Sequence, residues 1–299
     1  MVAAAATGWG CWPFFLRRAE RDGAVPAALE ATFAMVGLTL ASGALVSRDR
    51  IRVRAKASDW AKISVLGVVD ALNVVFFFIA YQRTSVAIAV LTHYLAPMLV
   101  ALGAPMLRLE AWRRRTFVAV GISLAGLVLL LAPWSAARHE GDVIGAAFGL
   151  ASAACYATNV LLAKSLVPVF SGSEMAFYHA VISVLLLALL VPAGAWAQVG
   201  HDAAVWLSLG ALVLGATCGL LFVWGLRRVH ASHASNLTLL EPLVATVGAS
   251  VALHEPLAMA SLFGGVLILT GAGVAATGGA GAHAGVEGSS GFVGTDNPR

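Results

Sequence analysis

Long apolar runs recur along the whole chain and are separated by short polar connections. A helix that crosses the hydrocarbon core of a bilayer needs about 20 mostly apolar residues, whereas the strands of membrane barrels alternate over about 10 residues. The runs here do not alternate and are apolar on every side, so they predict an all-α polytopic membrane protein with about ten transmembrane helices. We assign the runs to residues 2–16, 25–46, 60–82, 85–107, 116–133, 143–163, 174–197, 204–226, 231–253 and 257–277.

The first run is the shortest of the ten. It extends over 15 residues, from Val2 to Leu16, before Arg17 and Arg18 follow. At 1.5 Å per residue it reaches about 23 Å, less than the roughly 30 Å of a hydrocarbon core. A secretory signal peptide would carry its basic residues before the apolar run, not after it. We therefore expect a truncated membrane helix, whose true start lies upstream of residue 1.

Composition excludes two other classes of protein. Of the 299 residues, 60% are hydrophobic and only 11% are charged. A soluble domain usually carries about 25% charged residues, and a disordered chain is poor in apolar ones. Cys11, Cys155 and Cys218 lie inside the apolar runs without the spacing of metal ligands, so we expect packing roles for them and no metal site.

The charges indicate how the chain threads the membrane. If the spans alternate in direction, 14 of the 19 Lys and Arg residues follow even-numbered spans or lie on the C-terminal tail. Cytoplasmic loops carry an excess of basic residues, which predicts that both termini are cytoplasmic. The net charge of +4 lies in loops beside the spans and does not indicate nucleic-acid binding. The Gly/Ser-rich tail, 278–299, is expected to be disordered.

The two halves of the chain are similar to each other. A shift of 145 residues aligns Pro97 with Pro242, and further Glu and Gly residues coincide without a gap. We predict two repeats, residues 1–137 and 138–277, of five spans each. Because five is odd, the second repeat would enter the membrane in the opposite sense. Inverted repeats of this kind place a substrate site near the bilayer midplane.

Matching stretches in both halves resemble a known family. The first runs from Ala80-Tyr-Gln-Arg-Thr-Ser through Leu95-Ala-Pro to Glu110, and the second from Trp224-Gly-Leu-Arg-Arg through Leu240-Glu-Pro to His254-Glu. With the span count and the duplication, they resemble two EamA domains of the drug/metabolite transporter superfamily. The family usually has Gly directly before the Glu that ends each stretch, where this chain has Leu109 and His254.

The resemblance implies the ten-span transporter fold and a location in a bacterial inner membrane. It also implies a secondary transporter, usually an exporter, whose partners are a small-molecule substrate and the lipid bilayer, and it leaves a homodimer open. We expect no cofactor.

Asp70 is the clearest candidate for a functional residue. It lies in the middle of the third run, where an ionisable group costs about 2.5–3.5 kcal/mol and must face protein or water. Asn73 follows at i+3 and shares its face of the helix. The pair predicts a cavity wall that contacts a polar substrate or carries a proton. The alternative is a structural hydrogen bond between helices.

Glu241 is a second acid in the middle of a run, and it directly precedes Pro242. Proline removes one backbone donor and disturbs the preceding turn, so freed carbonyls can face a cavity. Pro97 occupies the matching position of the other repeat. Both prolines are predicted helix kinks, and Glu241 is predicted to bind a ligand or a proton. A neutral, hydrogen-bonded Glu in a packing role is the alternative.

Further polar residues lie inside the runs. A histidine, with an ordinary pKa near about 6.5, can respond to a proton gradient, and amide or phenol groups can orient a small polar ligand. Hydrogen bonds between helices, worth about 0.6 kcal/mol each, are the alternative for the histidines and the amides. Tyr156 could also stack against a ligand, and its alternative is an anchor at the membrane interface. These candidates are His93, Tyr156, Asn159, His179 and Asn236.

No motif of a hydrolase, a metalloenzyme or an ATPase is present in the sequence. His230 and His233 could form a two-ligand metal arm, but a third ligand is not nearby. We expect a transporter driven by a gradient and not an enzyme. The alternatives are an intramembrane enzyme that uses Asp70, His93 and Glu241, and a membrane scaffold or sensor.

Overall fold

The computed structural model describes residues 1–23, 25–49, 54–135, 140–253 and 258–283, and within them every regular element is helical. The helices are α1 (Val2–Trp9), α2 (Trp12–Ala19), α3 (Ala27–Val46), α4 (Ala57–Arg83), α5 (Val86–His93), α6 (Ala96–Met106), α7 (Arg114–Leu131), α8 (Asp142–Leu166), α9 (Gly172–Leu190), α10 (Ala195–Gln198), α11 (His201–Gly210), α12 (Thr217–Leu226), α13 (Ala231–Leu237), α14 (Leu240–Leu253) and α15 (Met259–His283). A π-helical turn, Ala211–Ala216, joins α11 to α12.

Seven segments of the described chain are long and apolar enough to cross a membrane. They are Ala27–Val46, Ala57–Arg83, Val86–Met106, Arg114–Leu131, Asp142–Leu166, Gly172–Leu190 and His201–Leu226. These segments coincide with the second to eighth predicted runs, so the prediction of a multi-pass helical membrane protein is confirmed. The count of ten spans and the inverted repeat remain predictions.

The other three runs form shorter apolar helices. The first run is divided into α1 and α2, because the chain breaks at Gly10 and Cys11 and Pro13 occupies the first turn of α2. The ninth run is divided into α13 and α14. In the tenth, the described apolar helix is Met259–Ala275. The helix α15 ends at His283, beyond the predicted boundary at residue 277, and 284–299 lie outside the described residues.

Two of the apolar runs are interrupted near their middle. The chain leaves α5 at His93 and enters α6 at Ala96, so Pro97 lies in the first turn of α6. It leaves α13 at Leu237 and enters α14 at Leu240, with Pro242 in the first turn. A proline lacks the backbone N–H that a first turn leaves unpaired, so it suits this position. Such breaks free backbone groups in a region where only protein or water can satisfy them.

Small residues let the helices approach closely. A Cβ on Gly126 of α7 would lie 2.6 Å from the carbonyl oxygen of Gly264 on α15. A Cβ on Gly67 of α4 would lie 2.8 Å from the carbonyl oxygen of His179 on α9. Close backbone packing is a main source of stability between helices in lipid. The α4 helix packs closely against both α8 and α9.

Candidate functional site: a central cavity

A cavity of about 920 Å³ lies in the middle of the helix bundle. Most of the candidates predicted from sequence line it, namely Asp70, Asn73, His93, Tyr156, Asn159, His179, Glu241 and Pro242. Pro97 and Asn236 are not among its lining residues. Asn236 is 2% exposed in α13, and its amide has no hydrogen-bond partner among the described residues. The structure therefore brings together side chains from both halves of the sequence.

Asp70 joins three helices at the wall of this cavity. Its Oδ1 accepts a 3.0 Å hydrogen bond from Nδ2 of Asn159 on α8. Its Oδ2 accepts a 3.2 Å hydrogen bond from the Ser183 hydroxyl on α9 and lies 3.7 Å from Nε2 of His179. The carboxyl group thus has polar partners on both oxygens while it still borders the cavity.

The hydrogen bonds of His179 define which of its nitrogens faces the acid. Its Nδ1 lies 2.7 Å from the carbonyl oxygen of Met175, and a carbonyl only accepts, so Nδ1 carries a hydrogen. In the neutral ring Nε2 then presents a lone pair toward Asp70. A single proton can sit on either Nε2 or the carboxyl group, which makes Asp70 and His179 a pair able to hold one exchangeable proton.

Ser152 of α8 connects two other candidates. Its hydroxyl lies 2.8 Å from Oδ1 and 3.0 Å from the backbone oxygen of Asn73. Nδ1 of His93 lies 2.9 Å from the same hydroxyl. Because the single hydroxyl hydrogen points to Asn73, the hydroxyl oxygen accepts from Nδ1–H of His93. These bonds between α4, α5 and α8 support the structural alternative for Asn73 and His93, although both side chains also border the cavity.

Aromatic rings form one side of the cavity. We call Phe77, Tyr81, His93, Tyr94 and Tyr156 the aromatic wall. The centroids of successive rings lie between 4.6 and 5.7 Å apart, a range typical of offset and edge-to-face contacts. The wall takes its rings from α4, from the end of α5 and the α5–α6 break, and from α8.

Two further acids border the cavity. Glu241, in the first turn of α14, accepts a hydrogen bond from the Tyr94 hydroxyl at the α5–α6 break. Glu30, in the first turn of α3, is 5% exposed and accepts a hydrogen bond from the Trp12 indole. The α5–α6 break therefore meets the first turn of α14 through Tyr94 and Glu241.

Sequence reasoning did not identify Glu30, Tyr81, Tyr94, Ser152 or Ser183. The signal for Glu30 was present, because an acid inside an apolar run must face protein or water. Its place near the start of the run made it resemble a residue at the membrane surface. The two serines carry no such signal, since a hydroxyl in a helix can bond its own backbone.

The end of the bundle near the α8–α9 connection is closed by basic side chains. Lys164 Nζ donates to the carbonyl oxygens of Leu226 and Val229, at 2.8 and 2.6 Å. Arg227 donates to the carbonyl oxygens of Val167 and Phe170, at 3.0 and 2.7 Å. Each cation satisfies carbonyls at the end of the other helix, so the pair fastens α8 to α12. At the opposite end the cavity lining extends to Tyr81, Val86 and Leu131.

The described residues offer no metal centre. No group of three or more His, Cys, Asp or Glu side chains could hold a metal ion in the described part of the chain. His230 and His233 do lie close together, with ring centroids 5.3 Å apart.

The chain is similar to known transporter sequences. The sequence profile of a family described as the EamA-like transporter family matches residues 1–132 and 143–277. An uncharacterized transporter of Archaeoglobus fulgidus is 30% identical over 212 residues, which cover 69% of this chain and 73% of that protein. An uncharacterized transporter of Clostridium kluyveri is 24% identical over 217 residues, covering 71% and 69%.

A solved crystal structure of another protein superposes on this chain with a TM-score of 0.73. At 20% identity it covers 91% of this chain and 98% of its own, and it shows the fold alone.

Proposed function

This chain belongs to the EamA-like transporter family, and on that premise we propose that it is a secondary transporter which exports a small solute across the cytoplasmic membrane. The solute is a metabolite, an amino-acid-like compound or a drug. The observation that carries the proposal is the Asp70–His179 pair, which can hold an exchangeable proton at the wall of a cavity of about 920 Å³. A cavity of a few hundred to about 1,000 Å³ suits a small organic ligand.

The mechanism we propose is alternating access driven by a proton gradient. Ten spans in two inverted repeats would rock around the cavity and open it to each side of the membrane in turn. The contacts of Lys164 and Arg227 would close the cytoplasmic end while the cavity is open to the outside. A proton bound at Asp70 would be exchanged for the solute, so that the gradient drives export.

The alternative of an intramembrane enzyme finds less support. A catalytic trio of Asp70, His93 and Glu241 would have to share hydrogen bonds or a common proton. Among the described residues each instead bonds to a different partner, and no hydrogen bond or ion pair joins two of them. The scaffold or sensor alternative predicts no flux at all.

Counterflow in proteoliposomes tests the proposal directly. Purified protein is reconstituted into vesicles preloaded with a mixture of unlabelled amines and amino acids, and uptake of each labelled compound is followed. We expect transient accumulation of at least one labelled compound inside the vesicles, and proton movement into the vesicles that accompanies the net efflux of its unlabelled form. If no compound, whatever its charge, moves across the membrane under either direction of the pH gradient, the result would contradict a transporter. Chemical conversion of a compound without flux would favour the enzyme.

A further inference from the structure

Three carboxyl groups border the cavity, those of Asp70, Glu241 and Glu30. The phenol groups of Tyr81 and Tyr156 line the same cavity. The three acids come from α4, α14 and α3, so the tertiary structure and not one helix brings them together.

No fixed positive charge balances these acids in the described cavity. Its lining contains neither Lys nor Arg among the residues described, and His179 lies beside Asp70. The partners of Glu241 and Glu30 are neutral, a phenol and an indole. A carboxylate that loses its water without gaining a counter-charge is unfavourable, so when a solute displaces water from the cavity each of these acids needs either a proton or a cationic group on the solute.

The aromatic wall suits the second choice. The faces of Tyr, Trp and Phe rings attract cations, and the attraction strengthens when water is excluded. Trp9 and Trp12 also line the cavity. An anionic solute would be repelled by three carboxyl groups and would find no Lys or Arg to pair with among the described lining residues. A neutral solute would leave the acids to be satisfied by protons alone.

We propose that the transported solute is an organic cation, an ammonium or guanidinium compound with an apolar body. This inference rests on the proposed function and names the substrate class of the same cavity. Glu241 with Tyr94 and Tyr156 forms the main binding site for the cationic group. Glu30, held by Trp12, forms an outer site for the same group, while Asp70 carries the exchanged proton.

Binding of matched probes tests the proposal without any need for flux. Phenyltrimethylammonium, the uncharged tert-butylbenzene of nearly the same shape, and benzenesulfonate are titrated into the full chain in lipid nanodiscs. Heat and tryptophan fluorescence report binding, because Trp9 and Trp12 line the cavity. We expect saturable binding of the ammonium alone, with at least tenfold weaker binding of the other two compounds.

Variants locate the cation. We expect Glu241→Gln to weaken binding of phenyltrimethylammonium at least tenfold and Glu241→Asp to restore part of it. Glu30→Gln should weaken it several-fold. Asp202→Asn is the matched control, because this acid lies on the exposed first turn of α11 and does not line the cavity. Thermal unfolding of each variant shows that it is folded.

The possible outcomes test the cationic substrate and the transport function separately. Equal binding of the ammonium and its neutral isostere, preference for the sulfonate, or unchanged binding by both Glu variants would overturn the proposal. Proton-coupled counterflow of uncharged or anionic compounds alone would leave the transporter standing and refute the cationic substrate. Carboxylate-dependent binding of the ammonium without counterflow of any compound would support the site and refute transport.

Discussion

Asparagine in place of Asp70 separates the proton-carrying role of this residue from its structural role. The amide oxygen can accept the bond that Nδ2 of Asn159 now donates over 3.0 Å. The amide nitrogen can donate to the Ser183 hydroxyl, because that hydroxyl can direct its own hydrogen to the Gly67 carbonyl, 2.9 Å away. We therefore expect the free energy of unfolding of Asp70→Asn to lie within about 1 kcal/mol of that of the parent protein, since no hydrogen-bond partner is left unsatisfied.

Alanine at the same position gives the structural contrast. It removes the acceptor for the amide of Asn159, which is half-buried at the cavity wall, and the loss of such a hydrogen bond costs about 0.5–1.5 kcal/mol. We expect Asp70→Ala to melt at a lower temperature than Asp70→Asn in the same lipid. Neither variant can carry a proton at this position, so the two should fail alike in coupling while they differ in stability.

Coupling is measured as solute accumulation against an imposed pH gradient in proteoliposomes. One pH unit corresponds to about 1.4 kcal/mol, so exchange of one proton per solute allows about tenfold accumulation per unit. The parent protein should approach this slope, and Asp70→Asn should show none while it still exchanges solute across the membrane. Normal pH-driven accumulation by a folded Asp70→Asn variant would show that Asp70 is structural and that the proton is carried elsewhere.

Three more predictions concern topology and packing. A reporter fused after residue 114 should lie in the cytoplasm, and a reporter fused near residue 139 should lie outside the membrane. If both lie on the same side, the predicted number of spans is wrong. Gly126→Ala should lower the free energy of unfolding by about 1–3 kcal/mol, because its Cβ would press on the α15 backbone; Gly121→Ala, with open space around it, should have little effect, and equal losses would contradict the packing argument. Ser152→Ala should lower the free energy of unfolding by about 0.5–1.5 kcal/mol for each hydrogen bond it removes from Asn73 and His93, and an unchanged melting temperature would refute this.

The spans that sequence predicted best are those in which one helix runs unbroken, or nearly so, through the apolar stretch. Mean apolarity over about 20 residues is what a bilayer demands of such a helix, and α3, α4 and α8 meet it. Mean apolarity over a run does not reveal a break in the helix. Residues 231–253 are apolar enough to read as one run, yet backbone turns at Thr238 and Leu239 divide them into α13 and α14.

The candidate site was partly predictable for a similar reason. An ionisable group in hydrocarbon is tolerated only beside protein or water, so the rule selects Asp70, His179 and Glu241, which all border the cavity. The same reasoning applied to polar but uncharged side chains selects Asn236, and the structure places it in the packed interior and not in the cavity lining. A polar residue inside a span indicates contact with something other than lipid, but it does not distinguish a cavity from a packed core.

The partners of the acids could not be predicted, because these helices are apolar on every side. An amphipathic helix reveals which face it buries, and hence its rotation about its own axis, whereas a uniformly apolar one does not. The α9 helix is of this kind, so nothing in its sequence indicates that His179 and Ser183 point at Asp70. That rotation is decided by close packing, here by Gly67 against the α9 backbone. The small residues that carry no chemistry therefore determine which chemical groups meet in the cavity.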